Sequence, residues 1–119
     1  MAAVDNKENW LNESFAEYAC LLAIREIISE DEYNRILLEY DNETKGLDSI
    51  SNCDVNHEDH FKIWYMKGPY ILSNLETQMG RSCFLGLLQG IIFNQVNTTK
   101  GVSMLMKKRN RDYFNKLIR

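Results

Sequence analysis

Histidine is the side chain from which most metal and proton chemistry is built, and this sequence has two, His57 and His60. They stand in His57-Glu58-Asp59-His60, which superficially resembles a zinc motif. On a zinc-binding helix the two imidazoles are four apart, so that both reach one ion from one face. Here they are three apart, in a stretch that reads as loop. The expectation is a solvated polar loop, with opportunistic metal binding through Glu58 or Asp59 as the alternative. The three cysteines, Cys20, Cys53 and Cys83, are far apart and odd in number, and no CxxC occurs. That argues against a disulfide framework and against a thiolate zinc site. Cys20 and Cys83 fall in helical apolar patterns and read as small core residues. No spacing suggests a Ser-His-Asp or Cys-His arrangement, and no glycine-rich phosphate loop is present. That leaves two carboxylates, Glu13 and Glu17, one helical turn apart and therefore on one face. By itself Glu13 is a first-turn glutamate favoured by the helix dipole, and Tyr65 is a core aromatic with a hydrated hydroxyl.

The elements that must position these groups are helical. In 119 residues there are six glycines and one proline, few for an all-β domain, and apolar residues recur at helical spacing. Leu11, Phe15, Tyr18 and Leu22 form one stripe and Cys20, Ile24 and Ile27 a second, which predicts a helix buried on two sides. Ser29-Glu30-Asp31-Glu32 predicts a capping box opening the next helix, whose buried face is Tyr33, Ile36, Leu37 and Tyr40. From about 41 to 60 the pattern fails, and a long polar loop is expected. Order resumes after Tyr65, with Ile71, Leu72, Leu75 and Met79 on one face and Gly80 as the closing glycine. Phe84, Leu87, Leu88, Ile91 and Ile92 mark another helix, on which Gly86 and Gly90 could admit a neighbouring backbone. Two short helices follow, one capped from Asn97–Thr99 and one burying Tyr113, Phe114, Leu117 and Ile118. The fold class is all-α, a bundle of five to six helices in a single domain spanning 1–119.

Composition sets limits. Hydrophobic residues make up 45% and charged residues 26% of the chain, enough for a packed core and too regular for disorder. The net charge of −3 provides no field for nucleic acid, although Lys107, Lys108, Arg109, Arg111, Lys116 and Arg119 gather near the end. That cluster reads as a solvated helix face. No apolar run reaches the ~18 residues of a membrane span, and no signal peptide is visible. With unpaired cysteines, the simplest expectation is a reducing, cytoplasmic location.

Trp10-Leu11-Asn12-Glu13-Ser14-Phe15-Ala16-Glu17-Tyr18 resembles the aminopeptidase N family of gluzincin zinc metallopeptidases, whose HExxH is followed, after a spacer, by a glutamate in a WLNEGFA-like stretch. Trp64-Tyr65-Met66-Lys67-Gly68 and the following Pro69-Tyr70-Ile71-Leu72 resemble the family's YxKG segment and the helix it opens. Gly80, Phe84, Leu87 and Asp112-Tyr113-Phe114 follow the same pattern. The resemblance covers about residues 5–119 except the loop at 41–60. It implies the helical lobe of a thermolysin-like catalytic domain. It also implies that Glu13 is the third zinc ligand and that Tyr65 donates a hydrogen bond to the oxyanion of a tetrahedral intermediate. Two departures stand out. Ser14 occupies the usual glycine position, and Cys20 stands where many members carry a second acidic residue. Glu17 is the substitute near the metal shell.

The family's spacing places its second zinc histidine ahead of Met1. The general-base glutamate and the exopeptidase segment that holds the substrate's free amine are also outside this sequence. The resemblance therefore implies a fragment of a zinc aminopeptidase that removes N-terminal residues from peptides. Zinc belongs to the parent, is not held tightly by this chain, and the chain alone is inactive. The partners implied are the remainder of the parent peptidase and a peptide substrate. The alternative is a non-enzymatic helical interaction module descended from the same fold. Loss of a neighbouring helix predicts exposed apolar surface at Trp10, Leu11 and Phe15, and self-association through it.

Overall fold

The computed structural model describes residues 7–119, and among them there is no strand. The helices are α1 (Asn9–Ile27), α2 (Glu30–Glu43), a short α3 (His60–Lys62), α4 (Gly68–Met79), α5 (Arg81–Phe93), α6 (Thr99–Met104) and α7 (Lys108–Ile118). A 3₁₀ turn covers Ile50–Asn52, and a π turn, Ile63–Lys67, joins α3 to α4. The bundle is all-α, as expected. Among the described residues no helix is long and apolar enough to cross a membrane.

α1 is the central helix and packs on α4, α2 and the π turn. It buries a single face: Trp10, Leu11, Ser14, Phe15, Tyr18 and Leu21. Of the expected second stripe only Ile24 packs, partly buried, against the core. Cys20 and Cys83 are exposed, and Ile27 is 82% exposed. Periodicity shows that two stripes are apolar, but only a neighbouring element makes a stripe into core, and α1 has neighbours on one side. The apolar start of α1 is also a correction. Trp10, Leu11 and Phe15 are all buried, and α7 and the start of α6 cover Trp10. The Trp10 ring stacks on Phe114 at 6.1 Å, and its indole N–H donates to Thr99 Oγ1 at 2.9 Å. The Thr99 backbone N–H in turn donates to Glu8 Oε2 at 2.9 Å.

Helix ends follow local chemistry. The Ser29 hydroxyl accepts from the Glu32 backbone N–H at 3.0 Å, half of the expected capping box. The Glu32 carboxylate does not reach back; it pairs with Arg35. Gly80 closes α4 at φ +89°, a backbone region favouring glycine, and its N–H donates to the Glu76 carbonyl at 2.7 Å. Thr98 caps α6 by accepting from the Gly101 N–H at 3.0 Å. Gly86 admits no neighbouring backbone: the space where its Cβ would stand is open.

The loop is shorter than read from sequence, running over 44–59, and it is anchored. Ile50 and Cys53 are buried. Lys67 Nζ donates to the carbonyls of Leu47 at 3.0 Å and Asp48 at 2.7 Å. Ser51 Oγ donates to the Ile118 carbonyl at 2.8 Å. The terminal basic cluster is mostly solvated. Arg111 is the exception, donating to the carbonyls of Ser103 and Met106 at and just past the end of α6.

Candidate active site

Two sequence segments meet where α1 crosses the π turn. Pro69 has no N–H and its ring cannot sit against a normal helical carbonyl, so the helix widens just before it. In the wide turn the Gly68 N–H bonds the Ile63 carbonyl. The Trp64 carbonyl would look to residue 69, which is proline. Ser14 fills the gap, donating its hydroxyl to the Trp64 carbonyl at 2.6 Å in a buried contact. The approach is close: a Cβ on Gly68 would lie 1.8 Å from Ser14 Oγ and 2.6 Å from Ser14 Cβ. Glycine is therefore required at 68, and Ser14 has a definite task.

Glu13 and Tyr65 flank this crossing. The Tyr65 hydroxyl donates to Glu13 Oε2, across 52 residues of sequence. The hydrogen bond to Glu13 raises the phenol above its usual ionisation, and slight burial and the charges of Glu13 and Glu17 add to it. Tyr65 thus remains protonated, a donor, at neutral pH and well above. Phe61, one turn earlier, stacks on its ring at 4.6 Å. Glu17 lies one turn after Glu13 but turns to α2, accepting from the Tyr40 hydroxyl at 2.9 Å. Burial first, then that bond, push Tyr40 up to about 12. The α1 face therefore presents two carboxylates, each paired with a phenol.

Behind them lies a polar network that the sequence reading missed. Glu76 of α4 is buried and accepts the Tyr18 hydroxyl, which is also hydrogen-bonded to Tyr33 at 2.7 Å. Arg25 grips Glu76 in a fork, at 3.1 Å through one terminal nitrogen and 2.9 Å through the other. Burial works most strongly against the Arg25 charge, but the bond to Glu76 together with the charges of Glu76, Tyr33 and Tyr18 outweighs it, and its ionisation is raised. Burial is also the main reason the Tyr18 and Tyr33 phenols are raised. One signal was available: Glu76 falls among Leu72, Leu75 and Met79 on the buried face of α4, where a carboxylate requires a partner.

The histidines do not join Glu13. His57 Nε2 lies 3.3 Å from Asp48 Oδ2 while its Nδ1 accepts from the Asp59 N–H at 3.0 Å. His60 Nδ1 meets the His57 carbonyl at 3.1 Å, and its ring packs edge-on to Trp64. Among the described residues no three His, Cys, Asp or Glu side chains converge. Against zinc, the residues present fit one carboxylate ligand and not a full set. Two buried polar atoms, Asn12 Oδ1 and Trp64 Nε1, have no partner among the described residues. No family model, no curated protein and no solved structure matches this chain.

Proposed function

We propose that this chain carries the Glu13 carboxylate and Tyr65 phenol of a zinc aminopeptidase centre of the aminopeptidase N kind, within a larger peptidase that cleaves N-terminal residues from peptides. The observation that supports this reading is the Glu13–Tyr65 hydrogen bond. Two motifs that resemble the same family, 52 residues apart, bring their functional side chains to one point. Zinc, held by Glu13 together with two imidazoles from outside this sequence, would supply a Lewis acid and an activated water. The residues here do the rest. Glu13 offers a carboxylate oxygen from a rigid central helix. Tyr65 holds a proton that it donates to an oxygen gaining charge. Ser14 and Gly68 fix the distance between the two arms. Without the imidazoles and the general base, this chain neither hydrolyses peptides nor binds zinc tightly.

The test uses a polypeptide that joins this sequence to the HExxH segment. Tyr65→Phe lowers kcat by roughly 10²–10³ with little change in KM, the loss expected for one oxyanion donor. Glu13→Gln lowers bound zinc per chain. Unchanged kcat in Tyr65→Phe and full zinc in Glu13→Gln overturn the reading. The second reading, a helical interaction module, draws on the large apolar side chains exposed on α5. It gains if both substitutions leave every property unchanged.

A further inference from the structure

We propose that His57 is a pH-sensitive clasp at the head of the helical run 60–79: neutral, it closes the turn over residues 57–59, and protonated, it lets that turn go. The geometry fixes the neutral form. His57 Nδ1 lies 3.0 Å from the Asp59 backbone N–H, which can only donate, so Nδ1 carries the lone pair. His57 Nε2 lies 3.3 Å from Asp48 Oδ2, a carboxylate oxygen that accepts, so Nε2 carries the hydrogen. One uncharged ring thus bridges a donor and an acceptor. An imidazolium has two N–H groups and no acceptor. It can keep Asp48, but its Nδ1–H then faces the Asp59 N–H, and that bond is lost.

The turn so closed starts a long element. Asp59 is the N-cap of α3, and its own side chain makes no capping bond. The His60 N–H donates to the His57 carbonyl at 3.1 Å and the Ile63 N–H to the Asp59 carbonyl at 3.0 Å, and the helix continues through the π turn into α4. A positive ring at that end also opposes the helix dipole. The charged groups that face His57 come from four places. Asp48 of the loop, Glu58 and Asp59 of the turn, Lys67 of the π turn and Arg119 beyond α7 line one open cavity of about 790 Å³ with it. Asp48 is held in place, since its Oδ1 accepts from the Ser49 N–H at 2.9 Å and Asn52 Nδ2 at 3.0 Å, so the ring is the part that moves. Asp54 turns its carboxylate to the Asn56 N–H at 2.9 Å, and Lys67 is engaged by the Leu47 and Asp48 carbonyls. His60 is no substitute. Its Nδ1–H donates to the His57 carbonyl, and a proton gained at Nε2 leaves that bond intact. Phe61 of α3 stacks on Tyr65, so the turn that opens adjoins the candidate site, whatever reaction that site serves.

Nitrogen-15 NMR on the full chain, taken from about pH 8 to about pH 5, the range over which histidine gains its proton, tests this. At the alkaline end, long-range proton–nitrogen spectra show the His57 proton on Nε2. On acidification the protection of the Asp59 amide against solvent exchange falls roughly 3–10-fold, the share of one hydrogen bond. The Gly101 amide, which donates to the Thr98 hydroxyl, keeps its protection. His57→Asn sets an amide oxygen where Nδ1 stands, an Asx turn to the same N–H with no titrating group. In that variant the Asp59 amide stays protected at the acid end, with unchanged helical circular dichroism. A wild-type proton on Nδ1 at the alkaline end overturns the proposal, and so does an Asp59 amide equally protected at both ends. A His57→Asn chain that loses protection as the wild type does overturns it too, because the carboxylates of Asp48, Glu58 and Asp59 are then the groups that respond.

Discussion

At the scale of single residues, the contact between Ser14 and Gly68 decides most. A methyl group on Gly68 would overlap Ser14 Oγ, at 1.8 Å, and neither side can yield because both are backbone-near atoms in packed helices. Gly68→Ala should therefore destabilise the fold by about 1–3 kcal/mol, the cost of overpacking, read from urea midpoints. Ser14→Gly in the same chain should recover part of that loss, because it removes both atoms in the way. Ser14→Gly alone should cost about 1–3 kcal/mol by leaving the Trp64 carbonyl buried and unpaired. If Gly68→Ala proves neutral, the helices are not held as closely as the structure places them. None of this was legible in the sequence. Serine in place of glycine looked like a departure from a pattern. Its purpose depends on Pro69, which lies 55 positions later and orphans a carbonyl that only Ser14 reaches.

At the scale of helices, α1 and α4 are clamped by the Arg25–Glu76 pair, with Arg25 and Glu76 side chains only 9% and 7% exposed. Removing one partner strands the other's charge inside. Glu76→Ala should cost about 3–5 kcal/mol, and Glu76→Gln less, since an amide still accepts from Tyr18 and Arg25. Equilibrium denaturation checks both; a loss under about 1 kcal/mol would mean water reaches the pair freely. Helices were the legible part of the fold. Tyr33, Phe84, Leu87 and Phe114 lie in the core where their spacing puts them. The limits of legibility were physical. Spacing shows that Cys20, Ile27 and Ile92 lie on apolar faces, and it is silent on whether another element covers those faces. The onset of the helix before Tyr65 was missed because Pro69 signals a helix start, whereas here it follows a π turn that continues from His60. The candidate site was legible from resemblance alone. Nothing in the local spacing of Glu13 or Tyr65 says that they meet.

At the scale of the whole molecule, the phenols set the response to alkali. Tyr40 is pushed up to about 12, by burial first and then by its bond to Glu17. Tyr18, Tyr33 and Tyr65 are raised as well. An unfolded chain releases those protons near pH 10, while the folded chain retains them. Stability is therefore fully present below about pH 10 and falls as pH rises through about 12. Absorbance at alkaline pH should show these tyrosines ionising only as the chain unfolds, and Glu17→Gln should lower the Tyr40 midpoint without returning it to 10. Ordinary, fully reversible titration of all six tyrosines near pH 10 would contradict the buried hydroxyl network. The loop over 44–59 has a consequence of its own. Lys67 grips it near one end and Ser51 ties its middle to the last turn of α7. What looks like one slack tether is thus three shorter spans, and short spans have less freedom to give up on closure. A cut by a protease would find purchase beyond the second knot, around Val55 and Asn56, where the chain is exposed. Such a nick would leave the two halves of the chain clasped by the helices they share.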